Sequence, residues 1–248
     1  MTKAAQSISK NAFKRDCASP WDGSVRSLWM GLEEEVFLLR DGAPAPLSEV
    51  RAIFSDLLGH GYHVAQSDGR GLPIQVNFEH RHGYVAIKND YCSHILEVAF
   101  PPERDPIQFA SIYLDVWNTI EHVANARGFK IVRRGYLPIE PLDIVYTSRT
   151  DWFLNRKLAP ERPFADRHFG SKICAVQTHF NILNSAFFRS LPSLYSFEYL
   201  FPLLFSTSSL TTKDRTFRCV RPLVYRDNFP DTFGAVGVPD QVPTSEGD

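Results

Sequence analysis

The stretch Gly31-Leu32-Glu33-Glu34-Glu35-Val36-Phe37-Leu38-Leu39 decides how this chain is read. The run is apolar enough for a strand, yet three consecutive acids sit inside it. Side chains alternate across a strand, so Glu33, Glu35 and Phe37 share one face and Leu32, Glu34 and Val36 the other. Two carboxylates about 7 Å apart on one face repel each other unless a cation lies between them. Hard divalent cations such as Mg²⁺ take oxygen ligands of this kind. Read alone, the run also suits an edge strand carrying solvated acids, and both readings stay open at this point.

Outward from this run, the pattern predicts a strand over 28–39, a breaker at Ala43-Pro44-Ala45-Pro46, and a helix capped by Ser48 that runs to Leu58. Tyr62–Gln66, Ile74–Glu79 and Tyr84–Lys88 read as short strands, with turns at Asp68-Gly69 and His82-Gly83. Ile95–Phe100 reads as a strand stopped by Pro101-Pro102. The clearest helix is 106–127. Asp105 caps it, Pro106 suits its first turn, and Phe109, Ile112, Tyr113, Val116, Ile120 and Val123 recur at helical spacing before Gly128. Phe129–Arg133 resumes as a strand. A loop spans Leu137–Gly170, with a short helix near 151–157. Cys174–Leu183 alternates as a strand, Leu191–Phe205 reads as a buried helix, and the chain from Ser206 onward as loop. This order lacks a regular β-α-β alternation. It predicts an α+β fold with a mainly antiparallel sheet and helices packed on one face. Residues 1–26 read as a flexible leader, 27–238 as a single domain and 239–248 as a polar tail.

The 248 residues can bury a sizeable core, and 44% hydrophobic with 22% charged content is ordinary for a water-soluble domain. A formal net charge of −1 gives no overall field favouring nucleic acid or an anionic membrane. No apolar run approaches the roughly 20 residues of a membrane helix, and the N-terminus has no apolar signal core. Cys17, Cys92, Cys174 and Cys219 form no CxxC pair, which suits free thiols in a reducing cytoplasm. Neither GxGxxG nor GxxxxGK[ST] occurs.

Two further segments put polar groups where periodicity calls for apolar ones. In Asn89-Asp90-Tyr91-Cys92-Ser93-His94-Ile95-Leu96-Glu97-Val98, Glu97 lies between Leu96 and Val98, and Asp90 precedes the strand. A buried Glu97 also suits simple pairing with an arginine. In Gln177-Thr178-His179-Phe180-Asn181, residues Gln177, His179 and Asn181 share a face, which a solvated strand would equally show. Three strands offering carboxylates and an imidazole to one sheet face would make a floor for a divalent metal.

These residues resemble a family. Gly31-Leu32-Glu33-Glu34-Glu35 is similar to the first strand of glutamate–cysteine ligases. Glu97-Val98-Ala99-Phe100-Pro101-Pro102, with Asp90 seven residues before it, is similar to their E-(L/F)-x-T-P strand. Gln177-Thr178-His179-Phe180-Asn181 resembles their G-x-H-(V/Y)-(H/N) strand, and Phe205-Ser206-Thr207-Ser208-Ser209 with Arg218 and Arg221 their A-x-S-A-N-S-P … S-x-R stretch. The order holds from about residue 28 onward. The departures are Phe100 where Thr is usual, the absence of Asn and Pro after Ser209, and the absence of a T-x-E-x-R strand after Arg221. The resemblance therefore implies a glutamine-synthetase-like catalytic domain that lacks the family's C-terminal part. It also implies ATP and Mg²⁺ as cofactors, with Glu33, Glu35, Asp90, Glu97 and His179 as metal ligands. Arg218 or Arg221 would neutralise phosphate, and Gln177 and Asn181 would contact substrate or nucleotide. The implied reaction is ligation of the glutamate γ-carboxylate to an amine such as cysteine through an acyl-phosphate, a step of glutathione biosynthesis. Its partners would be small molecules (amino acids and ATP), without nucleic acid or membrane, in a chain that could form a homodimer. The second reading is a non-catalytic relative that binds nucleotide or metal or needs a partner chain. The third is a hydrolase using Glu33 and Glu35 as a carboxylate pair.

Overall fold

Eleven residues, Met30–Arg40, form strand β1, and nearly everything else in the fold is arranged about it. The computed structural model describes residues 29–145, 154–155, 158, 161–180, 206–213 and 215–229. The leader, the C-terminal tail, the helix expected at Leu191–Phe205, most of the one near 151–157, and Asn181 lie outside the described residues.

β1 turns through Asp41 and Gly42, both at positive φ, into β2 (Ala43–Pro44). Helix α1 follows at Leu47–Leu57. The chain then forms β3 (His63–Ser67), β4 (Pro73–His80), β5 (Gly83–Asn89) and β6 (Ile95–Glu103). Helix α2 (Pro106–Ala126) and strand β7 (Lys130–Val132) come next. β8 (Val176–Phe180) rejoins the sheet. A small ribbon of β9 (Leu210–Thr211) and β10 (Thr216–Phe217) leads to helix α3 (Arg221–Asn228). The main sheet has eight strands in the order β2-β1-β6-β5-β4-β3, with β7 and β8 also on β1. Every pairing is antiparallel, so the fold is α+β as the element order predicts.

Alternation on β1 sorts two cores. Val36 and Leu38 point into the larger one, with Ile53, Phe54 and Leu57 of α1 and Val116, Trp117, Ile120 and Val123 of α2. Phe37 and Leu39 point the other way, to Tyr91, Ile95, Phe169, Ile173, Val220, Val224 and Phe229. Each fully buried aliphatic or aromatic side chain contributes roughly 1.5–3 kcal/mol from burial, before ordering costs. The two long helices share one face, and the short α3 packs on the opposite one.

Three local expectations are corrected. Ser48 is not the cap of α1. The cap position lies two residues earlier, at the extended Pro46, and the Leu47 amide donates to Asp143 Oδ2 at 2.8 Å, a carboxylate brought from 96 positions away. Pro101 and Pro102 do not stop β6, which runs on to Glu103. They lie beyond its last pairing with β5 and within the irregular register against β1, where a missing N–H breaks no regular ladder. The chain after Ser206 is not all loop. Pro222 sits in the first turn of α3, where proline is tolerated, and Val224 anchors that polar helix in the second core.

Candidate functional site

The second face of the sheet carries the acids. β1 places Glu35 directly opposite Glu97 of β6, and Asp90 enters from the connection between β5 and β6. One carboxylate oxygen from each of Glu35, Asp90 and Glu97 lies within 4.8 Å of the others, the one such group among the described residues. Like charges directly opposite on paired strands destabilise a sheet. The arrangement costs folding energy unless the charges are neutralised.

The electrostatics register that cost. Glu35 is 9% exposed. Burial, then repulsion from Asp90 and Glu97, outweighs the attraction of Arg221 and pushes its carboxyl up to about 7. Burial likewise raises Glu97, against the pull of Lys88, whose Nζ lies 3.0 Å from Glu97 Oε1. The expected arginine partner of Glu97 is therefore a lysine. Gln177 Nε2 donates to Glu35 Oε1 at 3.5 Å, and the Glu35 amide donates to the Ala175 carbonyl at 2.8 Å.

The remaining residues singled out from the sequence fall around this cluster. Glu33 and His179 pair with each other, Nε2 to Oε1 at 3.7 Å, one step along β1 and toward solvent. The five implied metal ligands thus divide into an inner trio and a flanking pair. Arg221 opens α3, donates from Nη2 to the Tyr225 hydroxyl at 3.3 Å, and stacks 5.1 Å over that ring. Its buried Nε has no hydrogen-bond partner among the described residues. Arg218 is exposed, and its backbone carbonyl accepts from Ser206. Of the two arginines, Arg221 is the one whose charge acts on Glu35.

A small cleft opens beside the trio, lined by Glu35, Asp90, Tyr91, Phe169, Ile173 and Tyr225. Gly170 completes the lining because the Tyr91 ring lies against it: a Cβ there would stand 2.6 Å from the ring. Sequence reasoning missed Lys88 and the aromatic wall. The five-residue connection before Ile95 hides the β5–β6 register, and the wall is assembled from distant segments.

The thiols on this side are sealed in. Cys92 is fully buried with its Sγ 3.3 Å from His94 Nδ1, and burial raises it and Cys174 well above the ordinary thiol range. Cys92, Cys174 and Cys219 are free. Among the described residues no helix is long and apolar enough to cross a membrane.

The donor set of Glu35, Asp90 and Glu97 fits a hard divalent cation, which prefers oxygen ligands and would cancel the repulsion just described. Compared with known proteins, the chain matches no family model and no curated protein.

Proposed function

We propose that this chain is an ATP- and Mg²⁺-dependent carboxylate–amine ligase that joins the γ-carboxylate of glutamate to an amine such as cysteine. The observation that carries the reading is the Glu35–Asp90–Glu97 trio, two of its acids opposite each other on paired strands, within the very segments that resemble glutamate–cysteine ligases. Mg²⁺, when bound, would offset phosphate charge and polarise the transferred phosphoryl group. Glu35, Asp90 and Glu97 would hold it. Arg221, at the start of α3 with its Nε unpaired among the described residues, supplies a guanidinium for a phosphate or acyl-phosphate oxygen, for which its planar fork is suited. Glu33 and His179 extend the acidic surface by one flanking pair. Gln177 orients Glu35 through its amide.

The test is ADP release by the purified chain with ATP, Mg²⁺ and glutamate, with and without cysteine. Amine-dependent release that falls at least about 100-fold in Glu97→Gln is the expected result. Release that is unchanged in Glu97→Gln would refute the role given to the trio. Silence with ATP binding retained would favour a non-catalytic nucleotide-binding relative.

A further inference from the structure

Glu35, Glu97 and Lys88 form a row across three neighbouring strands. β1 sets Glu35 opposite Glu97, and β6 sets Glu97 opposite Lys88 of β5. Directly opposed residues project from the same face of a sheet. The row therefore runs carboxylate, carboxylate, ammonium. The Glu97 side chain is 9% exposed and that of Lys88 42%, so the ammonium reaches the acid from the solvent side. Its 3.0 Å contact is to Oε1.

We propose that Lys88 makes this site select a small octahedral cation over Ca²⁺ by occupying one of the two oxygens of Glu97. The inference rests on the metal reading of Glu35, Asp90 and Glu97 given above. Ca²⁺ takes roughly six to eight oxygens, commonly with a carboxylate bound through both of its oxygens, whereas Mg²⁺ and Mn²⁺ are satisfied by about six, each carboxylate contributing one. With Oε1 engaged by an ammonium, Glu97 offers Oε2 alone. The positive charge of Lys88 weakens both kinds of cation alike. The loss of two-oxygen coordination penalises only the larger one. Lys88 thus acts on ion choice through Glu97, as a positioning residue.

The experiment is calorimetric titration of the full chain with MnCl₂ and with CaCl₂, for wild type, Lys88→Met, Lys88→Arg and Lys88→Gln, with circular dichroism as a check of folding. Lys88→Met and Lys88→Gln should bind both ions more tightly, with the affinity for Ca²⁺ rising about tenfold more than that for Mn²⁺. Lys88→Arg, which keeps a charged donor, should retain the wild-type ratio. Mn²⁺ binding with an unchanged ratio in the folded Met and Gln variants overturns the role of Lys88 and leaves the metal reading standing. Failure of Mn²⁺ to bind to any of the four proteins overturns both.

Discussion

Glu34 and Glu35 are neighbours on β1, nearly equally buried at 3% and 9% exposure, and they meet opposite treatment. Glu34 faces the helices. Tyr113 donates to its Oε2 at 2.8 Å and Arg133 Nε to its Oε1 at 3.2 Å, while Arg133 also pairs with Glu121 and stacks 4.5 Å over Trp117. Glu35 faces the acids. Asp90 and Glu97 repel its charge while Arg221 attracts it, its carboxyl takes a long hydrogen bond from Gln177 and one from the Ala175 backbone, and burial with the two acids still holds it at about 7. A buried carboxylate is expensive unless hydrogen bonds and opposite charge satisfy it. On the helix face the fold supplies both. On the acid face it supplies too little, and an added cation would make up the difference. A buried acid that has its own partners is part of the architecture, and one that lacks them is a candidate site.

The largest test of that contrast is pH. In the unfolded chain Glu35 loses its proton near 4.5, whereas in the folded chain it keeps it to about 7. The folded state therefore binds more protons between those values, and stability falls as pH rises from 4.5 to 7 and stays reduced above. The shift corresponds to about 3 kcal/mol. In chelator, urea denaturation of the wild type should lose about that much between pH 4 and pH 8 relative to Glu35→Gln. Mn²⁺ at pH 8 should recover stability in the wild type and not in Glu35→Gln. Equal pH profiles for the two proteins would break the contrast. The next test strikes the other acid. Arg133→Met strands Glu34 without its cation and should cost about 2 kcal/mol, reduced from the fully buried case because Arg133 is 39% exposed. Affinity for Mn²⁺ should be unchanged, since Arg133 lies across the sheet from the trio.

What the sequence discloses follows the range over which each interaction acts. α2 is legible because its cap, its proline and its apolar spacing are local. The hairpin strands are legible because alternation and turn residues are local too. The division of Glu33 and Glu35 from Glu34 follows from alternation alone, but nothing in the run says that Tyr113 and Arg133 wait on one side and Asp90 on the other. The cap of α1 comes from Asp143 and could not be read near Ser48. Lys88 was invisible for the same reason: its bond to Glu97 depends on a register fixed only when β5 and β6 pair. The long reach of β6 through two prolines depends on which neighbours the strand has lost by that point, a fact of the assembled sheet.

The smallest expected effect asks whether the two faces are energetically separate. Asp105 Oδ1 accepts from the amides of Ile107 at 2.9 Å and Gln108 at 3.4 Å and so satisfies two of the donors at the start of α2. Asp105→Ala should cost about 1 kcal/mol, lowering the urea midpoint without changing the slope, and Asp105→Ser should recover most of it. α2 carries Tyr113 and covers the face that holds Glu34. The trio sits on the other side of the same strands, and its geometry is set by the β1–β6 register. Loosening the first turn of the helix leaves that register intact, so Mn²⁺ affinity in Asp105→Ala should equal the wild-type value. A fall in affinity would mean that packing of α2 is transmitted through β1 to Glu35. The compensated and uncompensated acids would then be a single coupled system, and their difference could not be assigned to local partners alone.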